Sequence, residues 1–522
     1  MRRATLVSLV GAVAFAACLP APASGAERSC TALKNARFND TTIESAGEVR
    51  PDPTWAFPPS LFDALASVHP TASPNVKTPF CRVVGTIEQE IEFELWLPDT
   101  WNGKYAQAGN GGYMGALNYP TMGGALEEGY ATAATDLGHE NKAAFDDSDW
   151  MIGHKQRLID FGYRAHHLVN AVARQIVAAY YGTSPSYAYF VGCSAGGWQA
   201  LTEIQKYPED FNGVVAGAPA HNFVRIDLRS TVTAQMSLEH PEGNLTRAQT
   251  KLVAAAALQH CDAEDGLADG LLSDPLHCDF DPKQLQCKAG DAPESCLTPA
   301  QVERVNALYG PMHSKGGLEL YPGPTVAAAL PPSFPARGDA PALSAALRNA
   351  LREFGYTKAP TLASFDPDKD IPAMDALMDP VMSSMDPDLS RFKARGGKVL
   401  VWQGWADPAV SPYNTVDYYD RVKTTTGGNM DDFYRIFFVP GMGHCGAGST
   451  GPDKFDSLAA LDSWVEKGVA PGRIEATQYK DGHVTRTRPL CVYPAVAKYT
   501  GTGSVNDARS FACVKPASSS KR

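Results

Sequence analysis

Apolar and polar residues alternate from Ile87 to Leu97, in the order IEQEIEFELWL. Successive strand side chains point to opposite faces, so a period of two predicts strand structure with one face buried. A shorter run, Tyr105–Ala108, predicts another strand and leads into the loop Gly109-Asn110-Gly111-Gly112. From Leu158 to Tyr181 the period lengthens. Ile159, Tyr163, His166, Val169, Val172 and Ile176 fall near one face of a single helix, and Gly182 ends it. Tyr187–Val191 is an unbroken apolar run that predicts a buried strand. Residues 195–206 return to a helical pattern, and Gly213–Ala216 reads as a short strand. Lys398–Trp402 and Arg435–Val439 repeat the buried-strand pattern. Strands alternating with helices predict an α/β sheet.

Two segments break the alternation. Residues 27–80, rich in Pro, Ser and Thr, predict an irregular lead-in. Residues 218–394 are rich in Ala, Pro, Asp and Cys and have few strand-like runs. The simplest organisation is one α/β core, 27–217 and 395–522, interrupted by an inserted domain at 218–394.

Composition narrows the function classes. Of 522 residues, 44% are apolar and 20% charged, ordinary usage for a globular chain with a sizeable core. The net charge is −11, with no cluster of Lys and Arg, which opposes a nucleic-acid or anionic-membrane partner. Arg2 and Arg3 precede an apolar stretch, Ala4–Ala17, and small residues lead to Ala23 and Ala26. That is the order of a secretory signal, here residues 1–26, with cleavage after Ala23 as the alternative. The stretch is too short for a spanning anchor. Phe15-Ala16-Ala17-Cys18 resembles a lipoprotein box only weakly. The mature protein is therefore expected in the periplasm or medium, free of the membrane. Cys18 lies in the signal, which leaves ten of the eleven cysteines. An even number in an exported chain predicts disulfides, and the absence of CxxC spacing disfavours zinc or thioredoxin-like chemistry.

Gly192-Cys193-Ser194-Ala195-Gly196 matches G-x-S-x-G between a predicted strand and a predicted helix. There the turn lifts a serine hydroxyl above the sheet and aims the next backbone N–H at the reacting oxygen. Such a serine needs a base, and the base needs an acid, in the chain order Ser, Asp, His. Asp407 follows the strand at 398–402 and His444 follows the strand at 435–439. Ser194, His444 and Asp407 are therefore expected to be nucleophile, base and orienting acid. The oxyanion donors are expected to be the amide of Ala195 and one from the glycine loop, at Gly111 or Gly112. Cys193 adjoins the serine and Cys445 the histidine, so the pair is placed to form a disulfide, free thiols being the alternative.

The insertion holds a second motif. Cys261-Asp-Ala-Glu-Asp-Gly-Leu-Ala-Asp-Gly-Leu271 spaces three aspartates by three and four residues in a glycine-punctuated loop. Hard oxygen donors of this kind suit Ca²⁺, although the spacing is not that of an EF-hand. The expected ligands are the side chains of Asp262, Asp265 and Asp269 with the carbonyls of Leu267 and Leu271. Cys261 and Cys278 are placed to staple this loop.

These motifs together resemble the tannase and feruloyl esterase family, which includes the mono(2-hydroxyethyl) terephthalate hydrolases. The resemblance rests on Cys193-Ser194, Asp407, His444-Cys445, the loop Asp262–Leu271 and Arg488-Pro489-Leu490-Cys491, and covers nearly the whole mature chain. It implies an α/β-hydrolase core with a lid, structural Ca²⁺ and no organic cofactor. It implies that Cys193–Cys445 is a disulfide, with Cys30–Cys81, Cys261–Cys278, Cys287–Cys296 and Cys491–Cys513 as the others. One departure stands beside the serine: Trp198 occupies a position where many members carry Arg. Substrate-binding residues are therefore not assigned. Phe334, Phe354, Tyr356, Phe365, Arg348 and Arg352 have suitable chemistry, but read first as core aromatics and surface arginines. The expected activity is that of an exported serine esterase acting on feruloyl or other hydroxycinnamoyl, galloyl or terephthaloyl esters. A secreted serine peptidase and a non-catalytic binding protein on the same fold are the rivals.

Overall fold

A computed structural model describes residues 29–52, 55–58, 76–141 and 147–516. The expected signal, 1–26, lies outside the described residues, as does part of the 27–80 segment. Nine strands form one sheet, and its first seven in chain order are β1 (Thr41–Val49), β2 (Phe80–Ile87), β3 (Ile91–Pro98), β4 (Lys104–Ala108), β5 (Ala131–Thr135), β6 (Tyr187–Cys193) and β7 (Gly213–Gly217). The insertion contributes a separate two-stranded ribbon of β8 (Met312–His313) and β9 (Glu319–Tyr321). The chain then returns to the large sheet with β10 (Lys398–Gly404) and β11 (Tyr434–Val439). The spatial order is β1-β2-β3-β5-β4-β6-β7-β10-β11. The first three strands are an antiparallel meander, β3 pairs antiparallel with β5, and β5, β4, β6, β7, β10 and β11 run parallel. This is the α/β-hydrolase fold. The strands that end at the expected serine (β6), aspartate (β10) and histidine (β11) lie at one end of the sheet, with β7 between the first two. Their carboxyl ends bring three distant loops together.

The centre of the sheet is buried from both sides, so its strands read as continuous apolar runs rather than alternations. Val399, Leu400 and Val401 are fully buried, as are Tyr189, Phe190, Val214 and Val215. Helices Ala165–Tyr181 and Ala195–Lys206 cover one part of the sheet, and Gly182 at φ +77° ends the first.

Three details differ from the sequence reading. The 27–80 segment contains β1, an edge strand in which only Ile43 is buried, so its apolar signal is weak. The single helix expected over 158–181 is interrupted. A π-helical turn at Asp160–Arg164 joins Lys155–Ile159 to Ala165–Tyr181. Gly162 meets Val381 of the insertion inside that turn, where a β-carbon would lie 2.5 Å from the valine Cγ1. The run from Ile87 to Leu97 is the tail of β2, a turn, and β3.

Residues 218–394 run between β7 and β10, which pair side by side. The insertion braces the loop that carries Asp407. Thr325 Oγ1 donates to the Trp405 carbonyl (2.6 Å), Ser411 Oγ to the Gly323 carbonyl (2.6 Å), and the Ser411 amide to Tyr321 Oη (3.2 Å). Beyond the core, β12 (Arg473–Lys480) pairs with β13 (His483–Cys491), and β14 (Val496–Tyr499) with β15 (Phe511–Val514). All five disulfides are formed: Cys30–Cys81, Cys193–Cys445, Cys261–Cys278, Cys287–Cys296 and Cys491–Cys513. No helix among the described residues is long and apolar enough to cross a membrane.

Candidate active site

Ser194 sits between β6 and the 195–206 helix with φ +63° and ψ −118°. A non-glycine residue rarely adopts positive φ, and its persistence needs surrounding constraint. The Ser194 amide donates to the Gly217 carbonyl (2.9 Å), and its carbonyl accepts from the amides of Trp198 and Ala220. A β-carbon on Gly192 would lie 2.5 Å from the Gly196 carbonyl, so strand end and helix start approach this closely only as glycines.

The loops after β10 and β11 complete the arrangement. His444 Nε2 lies 2.9 Å from Ser194 Oγ, and its Nδ1 lies 2.8 Å from Asp407 Oδ2. Asp407 is fully buried. It also accepts from the amides of Ala409 (2.8 Å) and Val410 (2.9 Å) and from Gln403 Nε2 (2.9 Å). Because the carboxylate only accepts, His444 Nδ1 carries the proton that it donates. The Nε2 lone pair then faces the serine, which donates to it. Burial pulls the His444 pKa down, but the negative charge of Asp407 and its hydrogen bond outweigh that, and the net shift is upward. The ring is 26% exposed, so the site opens to solvent at the histidine. The Cys193–Cys445 disulfide lies directly beside these residues, with 6.1 Å between α-carbons, and links the serine turn to the histidine loop.

The glycine loop stands next to the serine because β4 pairs with β6. Asn118 Nδ2 donates to the Gly109 carbonyl (2.8 Å), and Asn110 Nδ2 to the carbonyls of Ala116 (2.8 Å) and Thr135 (2.9 Å). Among the described residues, the amides of Gly111 and Gly112 have no acceptor within the protein. Ala195 is the first residue of its helix, where an amide has no intrahelical partner. Three free amides beside an imidazole-bound hydroxyl can bind an oxygen that becomes negatively charged.

The family model described as tannase and feruloyl esterase matches residues 75–514. The chain belongs to the tannase and feruloyl esterase family. An uncharacterized esterase of Xanthomonas campestris pv. campestris is 34% identical over 94% of this chain and 92% of its own. The mono(2-hydroxyethyl) terephthalate hydrolase of Piscinibacter sakaiensis is 32% identical over 85% of this chain and 86% of its own. Among solved structures, feruloyl esterase B from Aspergillus oryzae superposes with a TM-score of 0.79 at 28% identity, covering 93% of this chain and 99% of that one. The tannin acyl hydrolase of Aspergillus niger shares the fold, with a TM-score of 0.72 at 20% identity over 92% of each chain. As a tannase and feruloyl esterase family member, the protein is a carboxylic ester hydrolase.

Trp198, the departure noted in the sequence, is fully buried against Phe161 (5.6 Å between ring centroids) and Phe223 (5.3 Å), with Tyr113 beside Phe223 (4.8 Å). An arginine there would place a charge among rings. Of the other aromatics, Phe365 is buried, Phe354 lies under the Lys155 ammonium (4.6 Å), Tyr356 donates to Asp370 (3.1 Å), and Phe334 is 73% exposed. Gln403 was missed by sequence reading. Its signal was a polar residue inside an otherwise apolar strand.

The acidic loop packs on the C-terminal hairpin. Asp262 accepts from the amides of Asp269, Gly270 and Leu271 (3.0–3.2 Å), Asp265 from the Leu267 amide (3.0 Å), and Asp269 pairs with Arg488. The Arg488 guanidinium lies over the Phe511 ring (3.9 Å). Burial raises the pKa values of Asp265 and Asp269, so negative charge there is poorly compensated by solvent. Among the described residues, no group of three His, Cys, Asp or Glu side chains is gathered as a metal cage. Three carboxylates in one glycine-punctuated loop are the hard oxygen chemistry that Ca²⁺ takes.

Proposed function

We propose that the protein hydrolyses esters of aromatic carboxylic acids through an acyl-serine intermediate. The observation that carries this is the unbroken Ser194–His444–Asp407 hydrogen-bond chain at 2.9 and 2.8 Å. Ser194 Oγ attacks the ester carbonyl carbon while His444 Nε2 takes its proton. Asp407 holds the ring in the required tautomer and balances the imidazolium charge. The tetrahedral oxyanion is bound by the amides of Ala195 and of Gly111 or Gly112. The intermediate collapses as His444 returns the proton to the leaving alkoxide oxygen, and the alcohol departs. A water molecule, deprotonated by His444, then attacks the acyl-serine, and the acid is released with Ser194 restored. The family relatives named for feruloyl and terephthaloyl esters support the aromatic acyl group. The disulfides support an oxidising compartment, the periplasm or medium.

The acidic loop is proposed to hold structural Ca²⁺ through Asp262, Asp265, Asp269 and the carbonyls of Leu267 and Leu271. The ion takes no part in the reaction. The acyl group is tested by product release from methyl ferulate, methyl gallate and mono(2-hydroxyethyl) terephthalate. Turnover of one of these names the acid. Turnover of none, by an enzyme that still hydrolyses p-nitrophenyl acetate, overturns the aromatic reading alone.

A further inference from the structure

The helix that starts after Ser194 also grips the glycine loop across from it. Gln199 lies five residues beyond Ser194 and is buried, and its Oε1 accepts from the Asn110 amide (2.9 Å). Two glycines make room for this contact. A β-carbon on Gly109 would lie 2.8 Å from the Gly196 Cα, and one on Gly196 would lie 2.8 Å from the Asn110 carbonyl oxygen. One side chain thus ties the first turns of the helix to the residue that immediately precedes Gly111.

Beneath Gln199 lies a second polar layer, and among the described residues neither Gln199 Nε2 nor His166 Nε2 has a hydrogen-bond partner. Tyr105 Oη donates to Gln107 Oε1 (2.8 Å), which fixes Gln107 Nε2 as the donor end. That nitrogen donates to the His166 carbonyl (3.0 Å) and to His166 Nδ1 (2.9 Å). His166 Nδ1 is therefore an acceptor, the ring is neutral, and Nε2 carries its proton. Burial holds the His166 pKa down at about 4, with the Gln199 amide as the polar group beside the ring. No charge enters this layer near neutral pH.

We propose that Gln199 is a positioning residue for the oxyanion hole. By holding the Asn110 amide, it aims the amides of Gly111 and Gly112 at the carbonyl oxygen above Ser194. The proposal rests on the serine-esterase reading above. Its energetic consequence falls on the transition state, because the donors matter most when the oxygen becomes charged.

The test compares kcat and KM of the full mature enzyme for one hydrolysed ester in Gln199→Met and Gln199→Glu, with circular dichroism to verify folding. Gln199→Met removes the acceptor at similar volume, and kcat is expected to fall at least about tenfold while KM stays within about threefold. Gln199→Glu keeps an oxygen in the same place and is expected to recover kcat to within about threefold of the parent enzyme. The proposal is overturned by a kcat in Gln199→Met within about threefold of the parent, or by a loss confined to KM. Equal losses in both variants overturn it too. If Gln199→Met does not fold, Gln199→Ala carries the same prediction. A parent enzyme that hydrolyses no ester would instead overturn the esterase reading, independently of any Gln199 variant.

Discussion

Replacing Cys193 and Cys445 together by serine cuts the one covalent link between the serine turn and the histidine loop. The two cysteines are 252 residues apart. Chain entropy for a loop of that length amounts to about 5.5 kcal/mol at 25 °C, an upper figure because native strain subtracts from it. The smaller disulfides nested inside, spanning 17 and 9 residues, shorten the effective loop too little to alter this by more than about 0.1 kcal/mol. Unfolding entropy of about 2.1 cal/mol/K per residue gives about 1 kcal/mol/K for a chain this long, so the thermal midpoint should drop by about 5 °C. The nine-residue loop of Cys287–Cys296 serves as the comparison. Its removal costs about 2.6 kcal/mol by the same relation, a drop of two to three degrees, roughly half as much. The two deletions should also differ in activity. The first loosens the contact between Ser194 and His444 and should lower kcat well below the midpoint, whereas the second should leave kcat unchanged. Scanning calorimetry and steady-state kinetics on both double variants read these quantities. Equal midpoint shifts, or an unchanged kcat when Cys193 and Cys445 are removed, would refute the reasoning.

The His444 pKa is raised by Asp407, and only the neutral ring accepts the serine proton, so kcat/KM should fall as pH drops through a value above 6.5. Asp407→Asn removes the charge but keeps the burial, so it should move that limb to lower pH and reduce kcat by about 10³–10⁴, as a pH–rate profile reads. His221 is fully buried, neither ring nitrogen has a hydrogen-bond partner among the described residues, and burial lowers its pKa to about 3. Its folded pKa lies below the unfolded value, so its neutral form favours the fold fully above pH 6.5, and that contribution is lost as pH falls toward 3. His221→Leu should therefore raise the thermal midpoint, with a gain larger at pH 5 than at pH 8; a gain that does not grow on acidification would count against this. Chelating Ca²⁺ with EGTA should lower the thermal midpoint while kcat at 25 °C stays within about twofold; an unchanged midpoint would remove the ion from the account.

Most of the catalytic geometry was legible because it depends on local rules. A G-x-S-x-G turn between an apolar run and a helical pattern specifies where Ser194 sits, and Asp407 and His444 follow apolar runs of the same kind. What escaped the sequence has identifiable causes. β5 reads ATAAT, and its small side chains are fully buried because strands flank it on both sides, yet they give no strong apolar signal. β1 is an edge strand with a single buried residue. The π-helical turn at Asp160–Arg164 depends on contact with Val381, more than 200 residues away. Gln199 and Gln403 looked like ordinary polar residues in otherwise apolar stretches. Their roles emerge only when β4 and β10 bring their partners within hydrogen-bond distance. The disulfide partners other than Cys193–Cys445 and Cys261–Cys278 followed from family resemblance, since spacing alone leaves many pairings open.

The central claim is that Ser194 forms the acyl-enzyme. It is tested most directly by mixing the purified mature protein with a hydrolysed aromatic ester, quenching with acid, and weighing the Ser194 peptide by mass spectrometry. The account predicts an acyl adduct on Ser194, and neither adduct nor turnover in Ser194→Ala. Turnover that survives Ser194→Ala, or an adduct on another residue, would contradict it.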